Sequence, residues 1–352
     1  MPTRRMEFTA FTALSGALVW AGLAGLAGLR RAPLGVIDLL LLFAVLVVVP
    51  LGLGLTRLRD RTGMMAKLAM AFQPLAALGV VVAFWHRPGV VAAACSVPWL
   101  VLGIGVAMAG AGNLYRSAKP SLPDLAIVLA GVDFAFAGGG LVVSRAGWYA
   151  MGFHEPIVLL TSVHFHYSGF AVAVLAGAAI RLCERRGLSV RLLRGIVWLV
   201  LFLPFLLAAG FVISPVLRLL AALGLALSLP VFAGCLFWLG RYLDQAVARI
   251  YVRLGAVAAW TAMGLAGAYA VTDCVARPFL TLPGMASTHG VLNGVGFVLC
   301  STLAFWIEEN AIEPATRAEV SLRRVVGGIA RKRPIDVASH VPEFVAREFY
   351  DR

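Results

Sequence analysis

The sequence predicts an all-α fold, a polytopic transmembrane helix bundle of about ten spans, and three observations predict it. Hydrophobic residues make up 61% of the 352 residues and charged residues only 13%, about half the charged share of an average soluble domain. The mean hydropathy is +0.90. The apolar residues are also gathered into runs of helix length, and crossing about 30 Å of hydrocarbon takes about 20 helical residues.

Divided at charges, Pro and Gly, these runs fall at 8–29, 36–55, 64–84, 89–111, 124–143, 156–180, 192–213, 216–240, 250–272 and 285–307. The first lies between Arg4-Arg5 and Arg30-Arg31. It is too long, and too basic after its apolar part, for a cleaved signal peptide, so it reads as a span. The stretch 192–240 is long enough for two helices and carries a turn at Ser214-Pro215; a single helix there would leave nine spans and reverse the C-terminus. Pro50, Pro74, Pro98, Pro204 and Pro230 sit in or at the ends of spans, where they can kink helices and free carbonyls. Gly22, Gly25, Gly28, Gly131, Gly138, Gly139, Gly140, Gly290 and Gly294 allow close helix contact. No internal repeat stands out.

The net charge of +13 belongs to the membrane part: Met1–Ile307 holds 22 Lys/Arg and 9 Asp/Glu, whereas Glu308–Arg352 holds eight of each. A basic excess confined to loops between spans does not describe a nucleic-acid surface. With a cytoplasmic N-terminus, the inner segments collect 16 Lys/Arg, among them Arg57, Arg59, Arg61 and Lys67, and the outer segments six. This positive-inside bias predicts an inner-membrane protein with both termini in the cytoplasm. Residues 1–307 form the transmembrane domain and 308–352 a cytoplasmic tail, with a basic cluster at Arg331, Lys332 and Arg333 and a short helix near Val341 to Tyr350. The five cysteines are scattered, without metal or disulfide spacing, and read as packing residues.

Polar residues inside the spans are the informative exceptions: Gln73, Asn113, Asp133, His164, His166, Asp273, His289 and Asn293. An ionisable group in a span marks a functional site by default. Counted from the helix ends at about 1.5 Å per residue, Asp133, His164, His289 and Asn293 fall at similar depth in the outer half of the bilayer. His164 and His166 diverge by about 200° on a regular helix, so they do not form a two-histidine clamp. Thr161, His164 and Ser168 share one stripe, and His289, Asn293, Gly296 and Cys300 another. The plain structural alternative is that each histidine donates to a carbonyl or hydroxyl and only holds the bundle together.

VHFHYSGF, from Val163 to Phe170, and THGVLNGVGF, from Thr288 to Phe297, resemble the corresponding stretches of the YndJ-like family of bacterial multi-pass membrane proteins. The resemblance implies a bundle of about ten helices with His164, His166, His289 and Asn293 at the family's polar positions. It covers most of the membrane part, leaves the tail unassigned and implies no reaction.

Three functions stay open. In the first, a polar pocket of Asp133, His164, His166, His289 and Asn293 in the outer half of the bilayer binds or transports a small solute or a proton. In the second, the protein is an intramembrane metal- or haem-dependent enzyme acting on a lipophilic substrate, with His164, His166 and His289 as ligands. In the third, it is a non-catalytic assembly or sensor subunit. The lipid bilayer is the expected partner, nucleic acid is not, and neither a cofactor nor an oligomeric state is assigned.

Overall fold

A computed structural model describes residues 3–56, 58 and 64–311. Arg57, Arg59 and Arg61 of the inner loop, and the tail with its basic cluster and expected short helix, lie outside the described residues. The described residues are helical and contain no strand. Ten helices among them are long and apolar enough to cross a membrane. These are α1 (Phe8–Gly28), α2 (Val36–Leu55), α3 (Ala66–Trp85), α4 (Val90–Arg116), α5 (Leu122–Ala146), α6 (Ile157–Arg185), α7 (Arg191–Ile213), α8 (Pro215–Tyr242), α9 (Ala246–Cys274) and α10 (Leu282–Ala311). The described residues up to Glu308 form one compact unit.

Local chemistry sets the boundaries. Ser214 is the only non-helical residue between α7 and α8; its backbone is extended and its Oγ accepts the Val216 N–H at 3.2 Å, so the long apolar run divides there. At the start of α5, Ser121 and Asp124 cap each other's backbone N–H groups. At its end Gly147 takes the left-handed conformation, φ 71°. The start of α9 is held from α10: the buried Glu308 carboxylate accepts from Asp244 N–H at 2.9 Å and Gln245 N–H at 3.1 Å, and Arg186 of the α6–α7 turn bridges Glu308 and Asp244.

The bundle is organised around α2 and α6, with 83% and 78% of their most apolar windows buried, against 50% or less for every other span. The two-histidine motif therefore runs through the middle of the protein. Beside this centre, α4 and α5 pack along a seam of glycines seven residues apart, Gly103 and Gly110 against the α5 backbone at Ala135 and Val128, and Gly131 and Gly138 against the α4 backbone at Ala107 and Leu100. A Cβ at Gly131 would stand 2.5 Å from Ala107 Cα, and one at Gly138 would stand 2.7 Å from Leu100 Cα. Small-residue contact of this kind drives helix association where lipid removes the hydrophobic incentive. Gly22, Gly25, Gly28 and Gly139 do not take part, since a Cβ at any of them would meet nothing within 4 Å.

Three helices depart from α geometry. Turns of α2 (Ala44–Val48), α6 (Phe165–Ala171) and α10 (Ala286–Gly290 and Leu292–Leu299) are π-helical. Such turns are rare and cluster at functional sites. In α2 the cause is visible in the sequence. Pro50 has no N–H to give to Val45 O, the Val49 N–H reaches back to Ala44 O, and Gln73 Nε2 from α3 approaches Val45 O at 3.4 Å. The π turns of α2, α6 and α10 touch one another.

The glycine seam separates two kinds of glycine. Gly131→Ala should lower the thermal unfolding midpoint of the detergent-purified protein, because overpacking a close contact costs about 1–3 kcal/mol. Gly139→Ala should leave it unchanged or raise it, since Ala is favoured over Gly in a helix by roughly 1 kcal/mol. Equal midpoints for the two variants would rule out the seam.

Candidate functional site

Six helices close a ring: α2 contacts α6, α6 contacts α7, α7 contacts α8, α8 contacts α9, α9 contacts α10, and α10 returns to α2. Inside the ring is a cavity of about 270 Å³. It lies toward the end of the bundle at which α2, α6, α8 and α10 begin and α7 and α9 finish, here called the far end. Its sides are apolar, including Leu160, Phe211, Leu219 and Met263. At the rim Arg218 of α8 pairs with Asp273 of α9 at 3.1 Å, and its guanidinium also lies over the Phe211 ring. Toward the other end, Phe170, Phe232 and Phe297 are completely buried, each within about a turn of a lining residue on its helix.

The floor is polar and two-fold in composition. His164 and His289 each stand seven residues into their helices, about 10 Å at the helical rise, and Ser168 and Asn293 each stand four residues deeper. These are the ends of two short matching stretches, His164 to Gly169 and His289 to Gly294, each reading H-x-x-x-(S/N)-G and each running through a π turn.

Most donors on this floor are committed. His164 Nδ1 bonds Leu160 O at 2.8 Å and His289 Nδ1 bonds Ala262 O of α9 at 2.9 Å. A carbonyl only accepts, so Nδ1 carries the proton in both rings and Nε2 keeps a lone pair. Thr161 donates to Ile157 O at 3.0 Å, Ser168 to His164 O at 2.8 Å and Tyr167 to Leu40 O at 2.8 Å. Asn293 Oδ1 is buried without a partner. What the floor offers a guest is therefore the Nε2 lone pairs of His164 and His289, together with the Asn293 side-chain N–H groups, which no partner takes.

The five expected pocket residues separate into two groups. His164, His289 and Asn293 line the cavity, whereas Asp133 and His166 do not. His166 faces α4 and α5: its Nδ1 bonds Ser162 O at 2.8 Å, its Nε2 accepts from Trp99 Nε1 at 2.9 Å, and its ring rests on Trp99 and Phe134. Both nitrogens are thereby occupied, and His166 can serve as a metal ligand only if Trp99 lets go. Asp133 is buried against the α6 backbone at Gly169, where an added Cβ would stand 2.6 Å from the carboxyl carbon. Of the second expected stripe, His289 and Asn293 line the cavity and Gly296 does not; a Cβ at Gly296 would meet Ala258 of α9, one turn from the Ala262 carbonyl that His289 bonds, and one at Gly294 would meet the Tyr167 ring.

Tyr167 and Arg218 were not singled out from sequence. Tyr167 joins three helices: it belongs to α6, donates to α2 through Leu40 O and lies on Gly294 of α10, 3.0 Å from where a Cβ would stand. The signal for it was its place within the VHFHYSGF motif, one residue from Ser168. Arg218 stands four residues after the Ser214 cap, on the first turn of α8.

A family model for YndJ-like proteins matches residues 39–297. The chain belongs to the YndJ-like family. The match takes in all the cavity-lining residues, from Leu40 to Asn293. This YndJ-like chain is also similar to the uncharacterized membrane protein YndJ of Bacillus subtilis (strain 168), at 26% identity over 175 residues, 49% of this chain and 31% of that protein. The chain therefore matches less than a third of that relative's length. No solved structure matches it.

If Tyr167 is the joint of this YndJ-like bundle, Tyr167→Phe should destabilise the purified protein by about 1 kcal/mol, the net worth of a typical hydrogen bond. Gly294→Val, which drives a side chain into the Tyr167 ring, should cost more. A thermal shift series that ranks the two in reverse would contradict that geometry.

Proposed function

We propose that this YndJ-like protein is an inner-membrane binding protein, or carrier, for a small solute that is positively charged or rich in hydrogen-bond donors, down to a proton. The solute is taken into the cavity at the far end of the bundle. The observation that carries this reading is the pair of uncommitted imidazole nitrogens, His164 Nε2 and His289 Nε2, on the floor of an otherwise apolar cavity. A guest that donates to either nitrogen gains a hydrogen bond at an imidazole whose other nitrogen is already held by a carbonyl. Asp133 and His166 support the same wall from behind.

The positive-inside bias turns the far end outward and leaves both termini in the cytoplasm. In this orientation the cavity lies at the outer end of the bundle, where a solute would enter from outside. A metal ion is a second reading with a specific observation in its favour. Both cavity histidines give their Nδ1 proton to a backbone carbonyl, as metal-ligating histidines do. The donor set is then His164, His289 and Asn293, and His166 is not among the ligands.

Two outcomes are expected. A membrane-impermeant maleimide should label Cys274, an exposed residue at the far end of α9, from outside intact cells, and Cys274→Ser should abolish the labelling. Native mass spectrometry of protein released from its own membrane should show a bound small molecule or metal ion that is lost in His164→Ala/His289→Ala. In His166→Ala the ligand should persist while the unfolding midpoint falls. Loss of stability alone in all three variants would identify the histidines as structural.

A further inference from the structure

Asp133 is left unexplained by the cavity. Its side chain is completely buried in the middle of α5, and neither carboxyl oxygen has a hydrogen-bond partner. The neighbouring helices offer it no countercharge. From α4 comes the Trp99 indole, already given to His166, and the backbone of the glycine seam. From α6 come Gly169, which has no side chain, and His166, whose two nitrogens are occupied. From α7 comes Phe205, which meets α5 at Phe136. Among the described residues no Lys or Arg pairs with Asp133. An isolated carboxylate in such surroundings is so costly that the group takes up a proton instead.

We propose that Asp133 is a proton-binding site distinct from the solute cavity, and that Gly169 on the π turn of α6 is the point at which the cavity wall registers whether that proton is present. The geometry supplies the connection. Gly169 lies against the carboxyl group, and the preceding residue, Ser168, lines the cavity and donates to the carbonyl of His164, which also lines it. One peptide unit thus separates the acid from the floor. When Asp133 gives up its proton, the charge left behind has no partner in this arrangement, and the adjacent π turn must move or admit a donor. The glycine is required because any side chain at position 169 would occupy the place of the carboxyl group. This inference goes beyond solute binding and does not depend on which guest the cavity takes.

Difference infrared spectroscopy on the full chain in lipid nanodiscs tests it without a ligand. The wild-type protein at neutral pH should show the C=O band of a protonated carboxylic acid that is missing in Asp133→Asn and that shifts when H2O is replaced by D2O. In Gly169→Ala the same band should be displaced, because the new methyl group presses on the acid. If Asp133→Asn fails to fold, the displacement in Gly169→Ala carries the test alone. Coincident wild-type and Asp133→Asn spectra would overturn the proposal. So would a band that never exchanges in D2O, the mark of a permanently sealed structural acid, or a band indifferent to Gly169→Ala. Because solute binding is read separately by mass spectrometry, either reading can fail while the other stands.

Discussion

Backbone hydrogen bonding without water is the constraint on which the rest of this structure depends. In the hydrocarbon region every N–H and C=O must find its partner inside the protein, and a regular α-helix meets that demand by itself. Here α2, α6 and α10 contain π turns, and their carbonyls draw on side chains. Gln73 approaches Val45 O, His166 reaches Ser162 O, His164 reaches Leu160 O, Ser168 reaches His164 O and Tyr167 reaches Leu40 O. The polar residues of the membrane interior are thus first of all partners of a distorted backbone. Their remaining lone pairs are what the cavity inherits.

This dual use removes the opposition between a structural and a functional histidine. His164 bonds a carbonyl of its own helix, as a structural histidine would, and the same bond fixes its tautomer so that Nε2 is left basic at the cavity. His289 does so with a carbonyl of α9 and thereby ties α10 to its neighbour. In His166 the second nitrogen is also taken, by Trp99, and the residue becomes wholly part of the packing between α4, α5 and α6. What distinguishes the three is the fate of Nε2, which is decided by the neighbouring helix.

Much of the fold was legible in the sequence for a simple reason. Apolar runs interrupted by charge, Pro and Gly have the length the bilayer demands, and Ser214-Pro215 carries its own capping chemistry, so the ten spans and the break between α7 and α8 could be read directly. The stripe of Thr161, His164 and Ser168 was also readable, since all three line the cavity. Beyond Asn293 the stripe leaves the cavity but stays on α9, since His289 bonds Ala262 O and Gly296 packs on Ala258. Gly294, next to Asn293, turns instead to the Tyr167 ring of α6. Pairing Asp133 with His164 by depth alone failed. Depth is one coordinate, and Asp133 lies on the α4–α5 side of α6 while His164 lies on the cavity side.

The correspondence between His164–Gly169 and His289–Gly294 follows from the same geometry. Each helix places a histidine two turns below its start, a hydrogen-bonding residue one turn lower and a glycine immediately after it. In both cases the glycine is where the helix meets a side chain from another: the Asp133 carboxyl at Gly169 and the Tyr167 ring at Gly294. A widened turn displaces backbone and consumes space, and a glycine returns that space to the neighbour. The motif therefore couples a polar floor residue to a close contact one position later. A change at either contact is delivered to the cavity through a single peptide unit, which makes the packing behind the wall part of the site itself.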